Sequence, residues 1–146
     1  MSSELRGRAM ALLARREHSR AELKRKLAAR AESEEELERL LDDLTSRRLL
    51  SDDRYASQRA TLRGASYGNA KLAHELRHQG IDGETISAAL AQAGDELERA
   101  RAVWQKKFGS PAADAAEWAK QARFLASRGF SSETIRRVLQ GSREHD

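Results

Sequence analysis

The segment His74-Glu75-Leu76-Arg77-His78 holds side chains that could do chemistry, because it matches the H-E-x-x-H pattern of zinc proteases. On a helix, two histidines four residues apart can share a zinc ion while the glutamate acts as general base. Leu72 and Leu76 are expected to face the core, and at roughly 100° per residue His74 points about 160° away from each. Both histidines are therefore expected at solvent. We predict no catalytic residue and no metal site, and adventitious metal binding by the two rings stays open.

The absence of nucleotide-binding motifs also argues against an enzyme. The sequence has no phosphate-binding loop G-x-x-x-x-G-K-[ST] and no dinucleotide fingerprint G-x-G-x-x-G. His18 stands apart from the other histidines and is expected to be solvated. The sequence therefore predicts a protein that is not an enzyme and that needs no cofactor.

Basic side chains are the remaining candidates for function. We select eight as candidate contacts to a partner: Arg16, Arg20, Lys24, Arg25, Lys120, Arg123, Arg136 and Arg137. Arg20, Lys24 and Arg25 are expected to face solvent on the second helix of the chain. Lysine and arginine bind phosphates and carboxylates alike, so residue type alone does not choose between a nucleic acid and an acidic protein.

The net charge of +4 is unevenly distributed. Residues 1–49 hold twelve basic and ten acidic side chains, residues 50–98 five and eight, and residues 99–146 ten and five. Basic ends around an acidic middle suggest that the outer parts of the chain contact a polyanion, although solvated helix faces would give the same pattern.

A repeat of forty-nine residues organises the chain. Residues 71–90 align without a gap on residues 120–139, with eight of twenty positions identical. Residues 22–41 form a more distant third copy that keeps Leu23, Leu27, Glu35 and Leu41 in register. Self-similarity at this period is typical of tandem helical repeats.

Local signals divide each repeat into three helices. Ser19–Glu22 and Ser33–Glu36 have the spacing of capping boxes at helix starts. Gly80 and Gly129, each followed by an apolar residue, are typical of Schellman-type helix ends. Pro111 is expected at the first position of a new helix. We predict an all-α, elongated array of three tandem three-helix repeats, with boundaries 1–49, 50–94 and 95–146.

Composition limits where such a protein works. There is no cysteine, which fits a reducing compartment, and no apolar run approaches the ~20 residues that span a bilayer. The early charges Glu4 and Arg6 are unlike a secretory signal. We expect a cytoplasmic monomer without a membrane partner.

The residues of the second and third repeats resemble those of the RecX family. The similar segments of the second repeat are Ser51-Asp52-Asp53-Arg54-Tyr55-Ala56, Glu75-Leu76 and Gly80-Ile81. Those of the third are Arg123-Phe124-Leu125, Arg128-Gly129-Phe130-Ser131 and Ile135-Arg136-Arg137-Val138-Leu139. The resemblance covers essentially the whole chain. It departs from the family at residues 57–59, where a bulky aromatic residue is common, and at Ala31, which stands in register with Gly80 and Gly129.

The resemblance implies a small bacterial regulator of the RecA recombinase, with roles in DNA repair and the SOS response. Members of the family bind RecA filaments on DNA, lie along the filament groove, and suppress ATP hydrolysis, strand exchange and co-protease activity. The implied partners are the RecA filament and, through weak and salt-dependent contacts, single- or double-stranded DNA. The alternative is a stand-alone DNA-binding helical-repeat protein that acts without RecA.

Overall fold

The structure is a computed structural model that describes residues 3–144. These residues form nine α-helices and no strand. The helices are α1 (Ser3–Arg15), α2 (Arg20–Leu27), α3 (Glu34–Ser46), α4 (Asp52–Gly64), α5 (Asn69–His78), α6 (Gly83–Gln92), α7 (Glu96–Lys107), α8 (Ala115–Ser127) and α9 (Ser132–Glu144). The predicted all-α class is confirmed. Within this part of the chain, no helix is both long and apolar enough to cross a membrane.

Three separate hydrophobic clusters define three units. Unit one packs α1, α2 and α3 around Leu23 and Leu41, and Leu50 completes its cluster. Unit two packs α4, α5 and α6, and unit three packs α7, α8 and α9 around Leu125. The predicted array of three-helix units is therefore confirmed. The boundaries at 49/50 and 94/95 stay predictions.

The helix ends follow the sequence signals at most positions. Ser19 Oγ accepts a hydrogen bond from Glu22 N–H at 3.0 Å, and Ser33 Oγ accepts one from Glu36 N–H at 3.1 Å. Gly80 has φ +80°, which lets the following Ile81 N–H donate to Leu76 O at 3.1 Å. This is the bonding pattern of a Schellman end, as predicted.

The predicted start of a helix at Pro111 is wrong. Helix α8 begins at Ala115, where the Asp114 carboxylate accepts from Glu117 N–H at 2.8 Å. A carboxylate cap satisfies a free N–H and complements the helix dipole, so it sets the start more strongly than proline does.

The same joint connects units one and two (the first joint) and units two and three (the second joint). In each, the carboxyl end of the later unit's second helix meets the amino end of the earlier unit's second helix. At the first joint, Ser19 Oγ donates to Gln79 O at 2.9 Å. At the second, Gly68 N–H donates to Arg128 O at 2.7 Å. Ser19 and Gly68 are forty-nine positions apart, as are Gln79 and Arg128, so the joint follows the period of the repeat.

A second backbone contact also recurs in both joints. Arg20 N–H donates to Asp52 Oδ1 at 2.7 Å in the first joint, and Asn69 N–H donates to Glu96 Oε2 at 2.7 Å in the second. In each case the first residue of the later unit's first helix supplies the carboxylate. Both free N–H groups at these helix starts therefore gain a partner from the next unit.

Two ends of the second helices lie outside the joints, namely the carboxyl end of α2 and the amino end of α8. Helix α2 ends in a short 3₁₀ segment, Ala28–Arg30, and Ala31 that follows has extended φ −82° and ψ 142°. It therefore lacks the left-handed glycine turn found after α5 and α8. At the other end, Asp114 caps α8 within its own chain segment.

Candidate partner-binding surface

The H-E-x-x-H segment lies on α5, and the structure does not build a zinc site from it. The His74 and His78 rings are exposed, as predicted, and stack with their centroids 6.4 Å apart. The Glu75 carboxylate accepts two hydrogen bonds from Arg63 at 2.6 and 2.8 Å, and this pairing lowers the Glu75 pKa. No group of three or more potential ligands occurs among residues 3–144. A paired, weakly basic carboxylate is poorly suited to act as a general base.

A second catalytic pattern, G-x-S-x-G, occurs at residues 64–68. The nucleophile elbow with this pattern requires a sharp turn from a strand into a helix. Here the segment connects helix α4 to helix α5. Its glycines serve the packing of the units, because Gly64 lies against Arg99 of unit three and Gly68 against Gly129.

Three of the four candidate contacts in unit one are engaged within the unit. Arg16 pairs with Glu22 at 2.6 Å, and Lys24 pairs with Glu38 at 2.6 Å. These pairings lower the pKa values of the Glu22 and Glu38 carboxyls. The groups are therefore held in the charged state and already face an opposite charge.

The expectation that Arg20 faces solvent is wrong. Its guanidinium binds Glu38 at 2.6 Å and Asp42 at 2.8 Å, and the side chain keeps 31% exposure. The reason is the acidic face of α3, which lies opposite the basic face of α2. Arg25 is exposed as expected, and its guanidinium donates to Gln79 Oε1 across the first joint at 2.8 Å.

The candidate contacts in unit three are placed differently. Lys120 and Arg123 lie on α8, and Arg136 and Arg137 lie on α9. All four are exposed, and within residues 3–144 none forms an ion pair. Arg136 donates only to Gln140 Oε1, a neutral acceptor, at 2.8 Å. This charge remains available to an external partner.

His18 is buried, so the expectation of a solvated ring is wrong. It keeps 1% exposure beside the first joint. Nδ1 lies 3.1 Å from Arg16 O, and Nε2 lies 3.0 Å from Lys26 Nζ. The neutral tautomer with a proton on Nδ1 satisfies both partners, because Lys26 can only donate. Desolvation lowers the pKa of this ring.

A row of alternating cations and aromatic rings, which was not predicted from the sequence, crosses the second joint. Arg128 Cζ lies 5.1 Å from the Tyr67 ring centroid and 5.0 Å from that of Phe124. Lys71 Nζ lies 4.7 Å from the Tyr67 centroid, and Lys107 Nζ lies 5.2 Å from the Phe124 centroid. We call these five residues the cation–aromatic row. The spacing of four between Tyr67 and Lys71, and between Phe124 and Arg128, was the available signal.

Comparison with known proteins identifies the units. Residues 51–90 match the family model for the second three-helix domain of RecX, and residues 94–139 match that for its third three-helix domain. The chain is 49% identical over 142 residues to regulatory protein RecX of Chromobacterium violaceum, covering 97% of this chain and 93% of the relative. It is also 49% identical to regulatory protein RecX of Leptothrix cholodnii, covering 97% and 92%.

A solved structure has the same fold. The crystal structure of RecX from Lactobacillus salivarius superposes with a TM-score of 0.86 at 21% sequence identity. The match covers 97% of this chain and 96% of that one, so it extends over all three units.

Proposed function

This chain belongs to the RecX family of regulatory proteins, and we propose that it binds RecA filaments on DNA in the cytoplasm. It lowers their ATPase, strand-exchange and co-protease activities. The observation that carries the proposal is the set of exposed, unpaired basic side chains on unit three: Lys120, Arg123, Arg136 and Arg137.

Unpaired charge favours unit three over unit one as the main contact surface. A cation that is already paired, such as Arg20 with Glu38, must give up that partner before it can bind another. Arg136 and Arg137 have no carboxylate to leave, so their full electrostatic attraction is available to phosphates or to acidic side chains. Unit one contributes through Arg25, whose only partner is a neutral amide.

The repeat architecture suits a filament. A filament offers the same surface at regular intervals, and an array of units can contact successive protomers through several weak patches. Linked weak contacts give high combined affinity without a deep pocket. Regulation of this kind requires binding only, so it needs neither a zinc site at His74 nor a nucleotide site.

The test is the ssDNA-dependent ATPase rate of the cognate RecA as this protein is titrated in. We expect inhibition at near-stoichiometric ratios that a zinc-selective chelator does not change. Arg136→Glu/Arg137→Glu should raise the concentration for half inhibition on the order of tenfold, because attraction becomes repulsion.

The matched control is Arg77→Glu/Arg101→Glu, which makes the same charge change at two exposed arginines that form no ion pair. It should inhibit nearly as well as the unaltered protein. An absence of inhibition at any ratio would overturn the proposal. Equal loss in both variants would show that overall charge matters and that this surface does not.

A stand-alone DNA-binding role is the second candidate, favoured by the cation–aromatic row. Cations next to aromatic rings are typical of surfaces that hold nucleic acids. If the protein acts alone, it should bind naked DNA tightly, and its affinity should fall steeply as salt is raised. Weak binding to naked DNA with strong inhibition of RecA would exclude this candidate.

A further inference from the structure

The cations of the cation–aromatic row have no partner of opposite charge. Within residues 3–144, no carboxylate pairs with Lys71, Lys107 or Arg128, and their side chains donate no hydrogen bond. A fourth cation, Arg63, lies 4.4 Å from the Tyr67 centroid, but Glu75 holds it. The charge of Glu75 also acts on Lys71, but its carboxylate pairs with Arg63, so three positive groups lie close together without an ion pair of their own.

Arg128 occupies the centre of the row. Tyr67 and Phe124 both contact its guanidinium, and both rings are half-buried. Rings that cover a guanidinium shield its faces and leave the N–H edge free to donate. That edge fits two oxygens of one phosphate or one carboxylate in a bidentate pair.

The first joint is built without cations at the positions equivalent to Lys71 and Arg128. Subtracting forty-nine from positions 67, 71, 124 and 128 gives the equivalent positions at the first joint, and these hold His18, Glu22, Glu75 and Gln79. The first joint forms the equivalent hydrogen bonds, from the Ser19 hydroxyl to Gln79 O and from Arg20 N–H to Asp52 Oδ1, with neutral and acidic side chains at these four positions. The cations are therefore an addition to the joint.

We propose that the cation–aromatic row is a binding site for a single nucleic-acid strand, whose successive phosphates contact Lys71, Arg128 and Lys107. A row of separate cations matches a chain of regularly spaced phosphates better than one small anion. When Lys71 and Lys107 turn from the rings to phosphates, the half-exposed rings of Tyr67 and Phe124 offer surfaces for base stacking, which an acidic peptide would not use. Because the cations come from units two and three, a bound strand bridges the second joint.

The proposal rests on the proposed function in one respect, namely that the regulated filament contains a DNA strand. Its test needs no RecA. Fluorescence anisotropy of a labelled oligothymidylate should give an affinity for the unaltered protein that falls as salt is raised. Lys71→Gln/Arg128→Gln should lower this affinity on the order of tenfold and reduce the slope of log affinity against log salt by about 0.7 per lost phosphate contact.

The variants have matched controls. Gln at position 128 is the residue of the first joint, so the fold should tolerate it, and thermal melting checks this. Arg77→Gln/Arg101→Gln removes the same charge from exposed sites in units two and three, and should change the affinity about twofold or less. Tyr67→Leu/Phe124→Leu keeps the charge and should weaken binding to oligothymidylate more than binding to an abasic strand of equal length.

Several outcomes would overturn the proposal. One is equal affinity of Lys71→Gln/Arg128→Gln and its control. Another is competition by polyglutamate as strong as by the oligonucleotide, which would indicate an acidic protein partner. Equal or tighter binding of a duplex would remove the preference for a single strand. The RecA ATPase assay on the same variants keeps the two proposals apart, because an unaltered protein can fail to inhibit RecA and still bind the strand through the row.

Discussion

The two joints share a frame of hydrogen bonds and differ in how their charges are paired. Both close a helix start with the carbonyl of the next unit, Gln79 O or Arg128 O, and with a carboxylate, Asp52 or Glu96. Around this common frame, the first joint places paired acidic groups and a neutral histidine, whereas the second places unpaired cations and rings. The hydrogen bonds of this frame recur in both joints, whereas the charges around them differ.

The distribution of ion pairs extends the comparison to whole units. Every ion pair among residues 3–144 lies within residues 4–75. Most of these pairs lie within unit one, one joins Arg54 of unit two to Glu17 of unit one, and the described residues of unit three form none. The first third of the chain has twelve basic residues and the last third has ten. By that count alone, unit one would have more cations available for a partner than unit three.

The largest effect should come from filling the space at the second joint. A Cβ at Gly68 would lie 2.4 Å from Gly129 O, a backbone atom that cannot move away cheaply. We expect Gly68→Ala to lower the free energy of unfolding by about 3 kcal/mol, as measured by chemical denaturation.

Gly83→Ala is the matched control for Gly68→Ala. No atom lies within 4 Å of a Cβ at Gly83, in the first turn of α6, so this change should be neutral or slightly stabilising. A similar loss of unfolding free energy in both variants would contradict the idea that the second joint depends on close backbone packing at Gly68. The first joint has Ser19 at the equivalent position and already accommodates a side chain.

The next effect concerns pH at the first joint. The pKa of folded His18 lies below the usual value of 6.5, so the unfolded chain takes up the proton first as pH falls. Stability from this group is fully present above about pH 7 and is lost as pH falls through the folded pKa. Protonation would also bring a second cation beside Lys26 at 3.0 Å.

Denaturation curves between pH 7.5 and pH 5 measure this effect. We expect His18→Gln to lose less stability than the unaltered protein over that interval. Glu22 nearby does not interfere, because its lowered pKa confines its own contribution to more acidic conditions. Parallel curves for the two proteins would contradict the assignment.

The smallest effect should appear at the end of α3. Arg48 has φ +61°, whereas unit two uses Gly94 at φ +95° after its third helix. A left-handed conformation is unfavourable for arginine and ordinary for glycine. Arg48→Gly should therefore raise the free energy of unfolding by about 0.5–1 kcal/mol, and any loss of stability would indicate that the Arg48 side chain makes a needed contact.

Much of the fold could be predicted from sequence because its signals are local. Caps such as Ser33 and turns such as Gly80 act within a few residues, and the repeat supplied the order of the units. Failures occurred where a distant element decides. The repeat alone does not determine burial: Leu90 and Leu139 are equivalent in sequence, but Leu90 is half-buried and Leu139 is fully buried.

The candidate surface was predicted less well for the same reason. Arg20 was expected to be free, but the acidic face of α3 lies opposite it. His18 was expected to be solvated, but it is buried beside the first joint. The spacing of Tyr67 and Lys71 could be read along one segment. The contact of Tyr67 with Arg128 could not be predicted from the sequence, because it depends on how units two and three pack.

The two unlike ends of the array have a consequence for assembly. A head-to-tail joint can be repeated without limit, and copies of such a chain would grow into an open fibre. Growth at one end would need a left-handed glycine turn after α2, where Ala31 is extended instead. At the other end, Asp114 caps the start of α8, as Ser19 caps the start of α2. Because Ala31 is extended, a copy added at the α2 end of the array would have to use another kind of contact.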